Sequence, residues 1–238
     1  MAEYISFQPS DFFNPVLYTG TGAEQTITGV GFESGLTWCK DRTNSYDQVW
    51  YDAARGATKR ITSNTDTAES DQAQGLKSWN SDGFVVGTGS NINNNTNLFA
   101  SWNWKAGTTS VPSGGTITPS AVSLNTTSGI SIIKYPGNIT AGATIAHGLG
   151  AIPEVIIVKK LTATAEWRVY YQNASVGKGM YLTLNTSDSD ASNTTMWNDT
   201  EATSTLLYLG SNTDVNNTGT DYIAYCFTSI KGYSCFSN

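Results

Sequence analysis

Residues 155–159 read Val155-Ile156-Ile157-Val158-Lys159, a continuous apolar run of the length a core strand takes in a β-sandwich. An earlier stretch, Leu36-Thr37-Trp38-Cys39-Lys40, ends on the same lysine, and the neighbours of the two runs match in order. Tyr18-Thr19-Gly20, Thr26-Ile27, Val49-Trp50-Tyr51, Ser63-Asn64 and the run Phe99 to Trp104 make the first series. Tyr135-Pro136-Gly137, Thr144-Ile145, Arg168-Val169-Tyr170, Leu184-Asn185 and the run Tyr222 to Phe227 make the second. The offset between partners widens by only a few residues from start to end, as short loop insertions between strands would produce.

The fold this predicts is all-β: two tandem homologous antiparallel sandwich or jelly-roll-like domains joined by a Gly/Ser/Thr/Pro linker. Each copy is too long for a solenoid repeat and long enough to close its own core. The expected boundaries are an N-terminal anchor or oligomerisation segment over 1–17, a first module over 18–107, a linker over 108–129 and a second module over 130–238. Within the linker, Thr116-Ile117 and Ala121-Val122-Ser123-Leu124 are weakly apolar and could add a strand. Asp82-Gly83, Thr88-Gly89-Ser90, Gly148-Leu149-Gly150 and Thr218-Gly219 supply turn chemistry between runs. Little helix is expected; Ala53 to Ala57 is the best short opening and reads better as a loop.

Composition agrees. Charged residues are 13% of the 238 and Gly numbers 23, so Ser, Thr, Asn and Gly cover much of the surface. A net charge of -6 offers no basic field for nucleic acid or anionic lipid. No apolar stretch is long enough to span a membrane, and Met1-Ala2-Glu3-Tyr4 lacks the features of a signal peptide, which predicts a soluble protein made in a cytoplasm. Three cysteines, Cys39, Cys226 and Cys235, form no disulfide framework and no zinc spacing.

Val16 to Gly22, Thr26 to Phe32, Tyr51 to Lys59, Ser81 to Phe84 and Trp102 to Gly107, with Ala146 to Gly150, Pro153, Ile156 to Lys159 and Tyr222 to Phe227 in the second copy, together resemble a repeat of phage tail-fibre and related virion proteins, among them the adhesins of marine bacteriophages. The resemblance runs from about Phe13 to Tyr233. Two positions depart from its pattern: Ser34 stands where the second copy has Pro153, and Asn103 where it has Cys226. The resemblance implies lectin-like or jelly-roll modules on a virion surface, assembly as a homotrimer, contact with other virion proteins through the aromatic segment Glu3 to Phe13, and attachment to a host glycan or envelope protein. It implies no catalytic residues and no cofactor.

The residue types that could do chemistry are few. His147 is the single histidine, in a turn, and has no matching imidazole in the first copy. Asp66, Glu69 and Asp71 share one polar loop, and Asp188 and Asp190 the corresponding one; such acids could flank a sugar bond or hold Ca²⁺, although the spacing fits no EF-hand loop. Trp38, Trp50, Trp102 and Trp104 fall in strands, where packing is the commoner use. Trp79 and Trp197 sit in polar surroundings and are the expected ligand-binding residues, by stacking on a sugar ring. The Asn-x-Ser/Thr triplets at Asn138 and Asn173 read as polar loops. The leading expectation is therefore a non-enzymatic attachment protein; a capsid decoration protein or head fibre, and a glycan depolymerase, are the alternatives.

Overall fold

The structure, a computed structural model, describes residues 7–172 and 178–236. The chain forms two compact units that part between Gly107 and Thr108.

After a 3-10 turn at Pro9–Asp11, the first unit contains β1 (Phe13–Thr19), β2 (Gln25–Ile27), β3 (Leu36–Asp41), β4 (Val49–Asp52), β5 (Lys59–Thr62), β6 (Ser70–Asp71), β7 (Leu76–Asn80), β8 (Gly83–Val86), the single-turn helix α1 (Ser90–Asn93) and β9 (Leu98–Trp104). One antiparallel sheet has the order β1-β9-β3-β4-β5-β6 and a smaller one the order β2-β8-β7. Alternation along the strands turns one set of side chains inward. Cys39, Val49 and Tyr51 from the large sheet meet Ile27, Leu76, Phe84 and Val86 from the small one in a single core cluster, the layered arrangement of a β-sandwich.

The second unit contains β10 (Ala121–Asn125), β11 (Ile130–Pro136), β12 (Ala143–Ala146), β13 (Val155–Lys160), β14 (Arg168–Tyr171), β15 (Met180–Thr183), β16 (Ala191–Ser192), β17 (Leu206–Leu209), the single-turn helix α2 (Thr213–Asn216) and β18 (Asp221–Phe227). Its large antiparallel sheet has the order β10-β11-β18-β13-β14-β15-β16, and β12 pairs with β17. Ile133, Tyr135, Ile156, Val158, Tyr222, Ala224 and Cys226 from the large sheet pack with Ile145, Leu207 and Leu209 from the small one.

The two large sheets share an order. In each, the first strand of the matched series (β1, β11) lies beside the last (β9, β18), which lies beside the third (β3, β13), followed by three more in sequence. The corner after the first strand is also built alike. Tyr18 stacks on Phe99 with centroids 5.1 Å apart and donates its hydroxyl to Ile92 O at 2.7 Å; Tyr135 stacks on Tyr222 at 5.3 Å and donates to Val215 O at 2.8 Å. Asn93 and Asn216, both fully buried at the ends of the helical turns, each spend their amide N–H groups on two loop carbonyls. Asn93 bonds Ala23 O and Gly87 O, and Asn216 bonds Thr140 O and Gly210 O. Gly20 and Gly137 follow the tyrosine strands because the chain passes too close for a side chain: a Cβ would sit 2.1 Å from Asn94 O at the one and 2.3 Å from Asn217 O at the other.

Some sequence boundaries shift. The first sheet begins at Phe13 and so takes in the end of the stretch read as an anchor; the part of that segment before Phe7 lies outside the described residues. The stretch read as a linker contributes β10, which pairs with β11 from Ala121↔Lys134 to Asn125↔Ile130. The residues 53–57 form turns, as read. The departures from the repeat pattern are accommodated by hydrogen bonds: Ser34 Oγ donates to Leu36 O at 2.7 Å, and Asn103 Nδ2 donates to Asn14 O and Ser101 Oγ, each at 3.0 Å.

Candidate functional site

The two tryptophans expected to meet a ligand serve the interior. Trp197 is 2% exposed, packs edge-on against Tyr170 and donates Nε1–H to Met180 O at 3.1 Å, which leaves neither ring face for a sugar. The expectation of sugar stacking at Trp197 is therefore corrected; its polar sequence neighbours belong to the loop that carries it inward. Trp79, on β7, is half-buried against the first core and donates Nε1–H to Thr37 Oγ1 at 3.0 Å. That bond fixes the ring on the protein. Trp38 stands in register between Trp50 and Trp102, with centroids 5.3 and 5.1 Å away, as cross-strand packing requires.

His147 is fully buried, and both ring nitrogens are engaged: Nδ1 accepts from Leu149 N–H at 3.2 Å and Nε2 lies 3.0 Å from Thr203 O. The pattern selects the neutral tautomer protonated at Nε2. Burial lowers its pKa below the ordinary 6.5, partly opposed by the bond to Thr203. The imidazole is a structural bridge with no lone pair left for a substrate proton.

Glu69 and Asp71 of the first polar loop are bound to neighbouring cations. Glu69 reaches the Arg55 guanidinium at 3.2 Å; Asp71 bonds Thr58 Oγ1 at 2.6 Å and Lys59 Nζ at 3.0 Å, and those bonds hold its carboxyl below the ordinary value. In the second loop, Asp188 accepts from Thr186 Oγ1 at 2.8 Å, and Asp190 accepts from the Tyr171 hydroxyl at 3.3 Å. Among the described residues no three His, Cys, Asp or Glu side chains gather closely enough to hold a metal ion. Cys39 and Cys226 are buried thiols, the first pushed up to about 12 by burial and the second raised further, while Cys235 is exposed. The triplet at Asn173 lies outside the described residues.

Sequence reading did not single out the groove that the second unit forms where β13, β14 and β15 meet the segment after β18. About 600 Å³ in volume, it is lined by Glu154, Val155, Tyr171, Leu182, Asp190 and Phe236, with Gln172, Ser189 and Cys235 completing the wall. Val155 and Tyr171 are register partners and therefore share a face, the one turned away from the core that takes Ile156 and Tyr170. The returning segment is held by Phe236 N–H donating to Ser229 Oγ at 2.9 Å and by Ser229 N–H donating to a Glu154 carboxylate oxygen; Phe236 packs on Phe227. Burial, and then the charge of Asp190, raise the Tyr171 phenol above its ordinary value, so it is a hydrogen-bond donor at neutral pH. The groove thus combines two aromatic rings, two aliphatic side chains and two carboxylates, and among the described residues no lysine or arginine lines it. Such a mixture suits a partly apolar ligand oriented by a few polar contacts. From sequence, Asp190 had been named only as a member of an acidic loop, Val155 only as part of a core strand and Cys235 only as a cysteine outside any framework, because the groove depends on a register pairing and a chain return that no local motif encodes.

A search of curated proteins finds no match, and a search of solved structures finds none either. One family matches, described as "Domain of unknown function (DUF7483)", over residues 8–238. With nearly the whole chain aligned to it, including both compact units and the groove, the protein belongs to the DUF7483 domain family.

Proposed function

We propose that this chain is a non-enzymatic attachment protein of a phage virion surface, a tail-fibre or appendage component made of two homologous β-sandwich modules, with the groove of the second module as its ligand contact. The observation that carries the reading is the repetition of one sheet order with the same tyrosine and asparagine corner in both units. Repetition of a binding-size module suits a protein that gains hold by many weak contacts, where avidity multiplies modest affinities. The virion location rests on the resemblance of Val16 to Gly22, Trp102 to Gly107 and their partners to phage fibre repeats. Assembly as a homotrimer, anchoring through the N-terminal segment and a host-surface glycan or envelope protein as target belong to the same proposal.

The test is adhesion. Purified protein should coat bacteria susceptible to the phage that carries it and should compete with that phage for adsorption. Absence of adhesion, with antibody decorating the capsid instead, would replace this reading by capsid decoration; release of reducing sugar ends from host polysaccharide would replace it by depolymerisation.

A further inference from the structure

One sheet edge is covered in the second unit and open in the first. The second large sheet carries β10 outside β11, whereas β1 ends the first large sheet among the described residues. The difference shows in the cores. Ile133 and Tyr135 of β11 are fully buried, with Val122 of β10 in the same cluster, while their counterparts Val16 and Tyr18 on β1 are only partly buried. Leu17, between those two in sequence, is 67% exposed.

The chain holds a counterpart of β10. The spacing that sets Tyr18 on Tyr135 also sets Tyr4-Ile5-Ser6-Phe7-Gln8 on Ala121-Val122-Ser123-Leu124-Asn125. Serine recurs at the centre, Ile5 matches Val122, Phe7 matches Leu124, and Gln8 repeats the amide of Asn125. Phe12 and Gly129, which precede β1 and β11, are equivalent in space: Lys105 N–H donates to Phe12 O at 2.8 Å and Thr228 N–H to Gly129 O at 2.9 Å.

The connection to β1 is built differently from the one to β11. In the second unit Asn125 Oδ1 accepts from Thr127 and Ser128 N–H, and Gly129 takes φ 69°, which closes the β10–β11 hairpin. In the first, Pro9–Asp11 form a 3-10 turn and Phe12 takes φ −129°, so the left-handed residue that closes the hairpin is replaced by an extended one. The Phe7 ring packs on Phe12 with centroids 4.7 Å apart, which fixes where the preceding residues leave the unit. Met1 to Ser6 lie outside the described residues.

We propose that the open edge of β1 receives Tyr4-Ile5-Ser6 of a second copy of this chain, paired as β10 pairs with β11. The register follows from β10: Ala121↔Lys134, Val122↔Ile133 and Ser123↔Ile132 become Tyr4↔Leu17, Ile5↔Val16 and Ser6↔Pro15 between copies. Leu124 exchanges both of its backbone bonds with Thr108, so Ala121 and Ser123 turn theirs to β11. On β1 the backbone of Pro15 and Leu17 likewise turns away from β9, because Phe12 O and Gly20 N–H bond toward it. Leu17 thus exchanges two bonds with Tyr4, and Pro15 O accepts from Ser6 N–H. Ile5 covers Val16 at the margin of the first core, as Val122 lies beside Ile133, and Tyr4 covers Leu17. The N–H that Pro15 lacks removes one bond and keeps the pairing reversible. The inference rests on the module equivalence and is independent of the attachment reading.

Sedimentation of the intact chain over a concentration series should show reversible self-association. Removal of residues 1–6 should abolish it and leave the unfolding midpoint of the dilute protein unchanged. Ser6→Pro, which withdraws the N–H offered to Pro15 O, should weaken association about tenfold, the scale of one backbone hydrogen bond, and Pro15→Ile should strengthen it about as much. A cysteine pair identifies the strand. Cys39 and Cys226 are fully buried, so in a Cys235→Ser background Ile5→Cys chains mixed with Val16→Cys chains should oxidise to a covalent heterodimer. Ile5→Cys mixed with Leu182→Cys, at an exposed position of the second unit, should not. A monomer at every concentration, association that survives removal of residues 1–6, or equal trapping by Val16→Cys and Leu182→Cys would overturn the proposal. A dilute midpoint that falls when residues 1–6 are removed would place the segment on its own β1 and would overturn it as well.

Discussion

The Arg55 guanidinium lies 2.5 Å from the Asp52 carboxylate, with the two side chains 1% and 0% exposed. Asp52 also accepts from Arg55 N–H at 2.9 Å, so one carboxylate closes the turn after β4 and neutralises the cation that the turn projects. Removing the arginine leaves a buried anion without its counter-charge. Arg55→Ala should lower the unfolding free energy by about 3–5 kcal/mol, the usual cost of orphaning one member of a buried pair. Urea unfolding followed by tryptophan fluorescence measures it. Arg55→Lys should recover only part of the loss, since an ammonium cannot reach Asp52, Glu69 and two carbonyls from one plane.

The corner asparagines make a paired prediction. Asn93→Ala and Asn216→Ala each leave one buried loop carbonyl without its donor, Gly87 O in the first case and Gly210 O in the second, and each lose a further bond to an exposed residue, Ala23 O or Thr140 O. Each substitution should cost about 1–3 kcal/mol per carbonyl left unsatisfied. Hydrogen exchange should place the loss in the mutated unit's own corner loops. Exchange that rises equally in both units for either variant would contradict the equivalence of the two corners.

Stability should fall as the pH drops below the ordinary histidine value of 6.5. His147 is buried in its neutral form and its folded pKa lies below 6.5, so the unfolded chain binds the proton first. Between the two values the unfolded state holds more protons, and acidification favours it; below the folded value the loss levels off. Melting midpoints recorded across this window should decline in the native protein and decline less in His147→Gln. A native protein that gains stability on acidification there would contradict the neutral assignment.

Pro15 guards a sheet edge. Phe12 O accepts from Lys105 N–H and Gly20 N–H donates to Asn97 O, which sets the alternate residues of β1 facing β9 and turns the backbone of Phe13, Pro15, Leu17 and Thr19 to the outside. In the second unit the equivalent edge, on β11, is covered by β10, with Ser123 opposite Ile132 at the position matching Pro15. Pro15 has no N–H to offer an incoming strand, and Leu17 beside it is 67% exposed. Pro15→Ile should therefore promote concentration-dependent association by edge pairing, visible in analytical ultracentrifugation, with little change in unfolding midpoint at low concentration.

How much of this was legible in the sequence depended on the range of the interactions. Val155 to Lys159 and Leu36 to Lys40 announce core strands by composition alone, and both lie at the centre of their sheets. The order of matched runs disclosed the correspondence of β3 with β13 and of β9 with β18. Trp197 misled because its neighbours in sequence, Thr195, Asn198 and Asp199, are polar, while its indole turns into the core to reach Met180. Polar loop residues report where the backbone runs and not where one large side chain points. The helical turns α1 and α2 were missed because four residues hold too little periodicity to register. The groove was missed for a different reason: Tyr171, Asp190 and Phe236 are far apart in sequence and meet only through strand register and the return of the chain after β18.

A crystal structure in which residues 13–104 are superposed on residues 130–227 tests the central claim most directly. The account predicts that Tyr18 falls on Tyr135, Asn93 on Asn216 and the Phe99 ring on that of Tyr222. Stacked ring pairs or corner asparagines that do not coincide would contradict it.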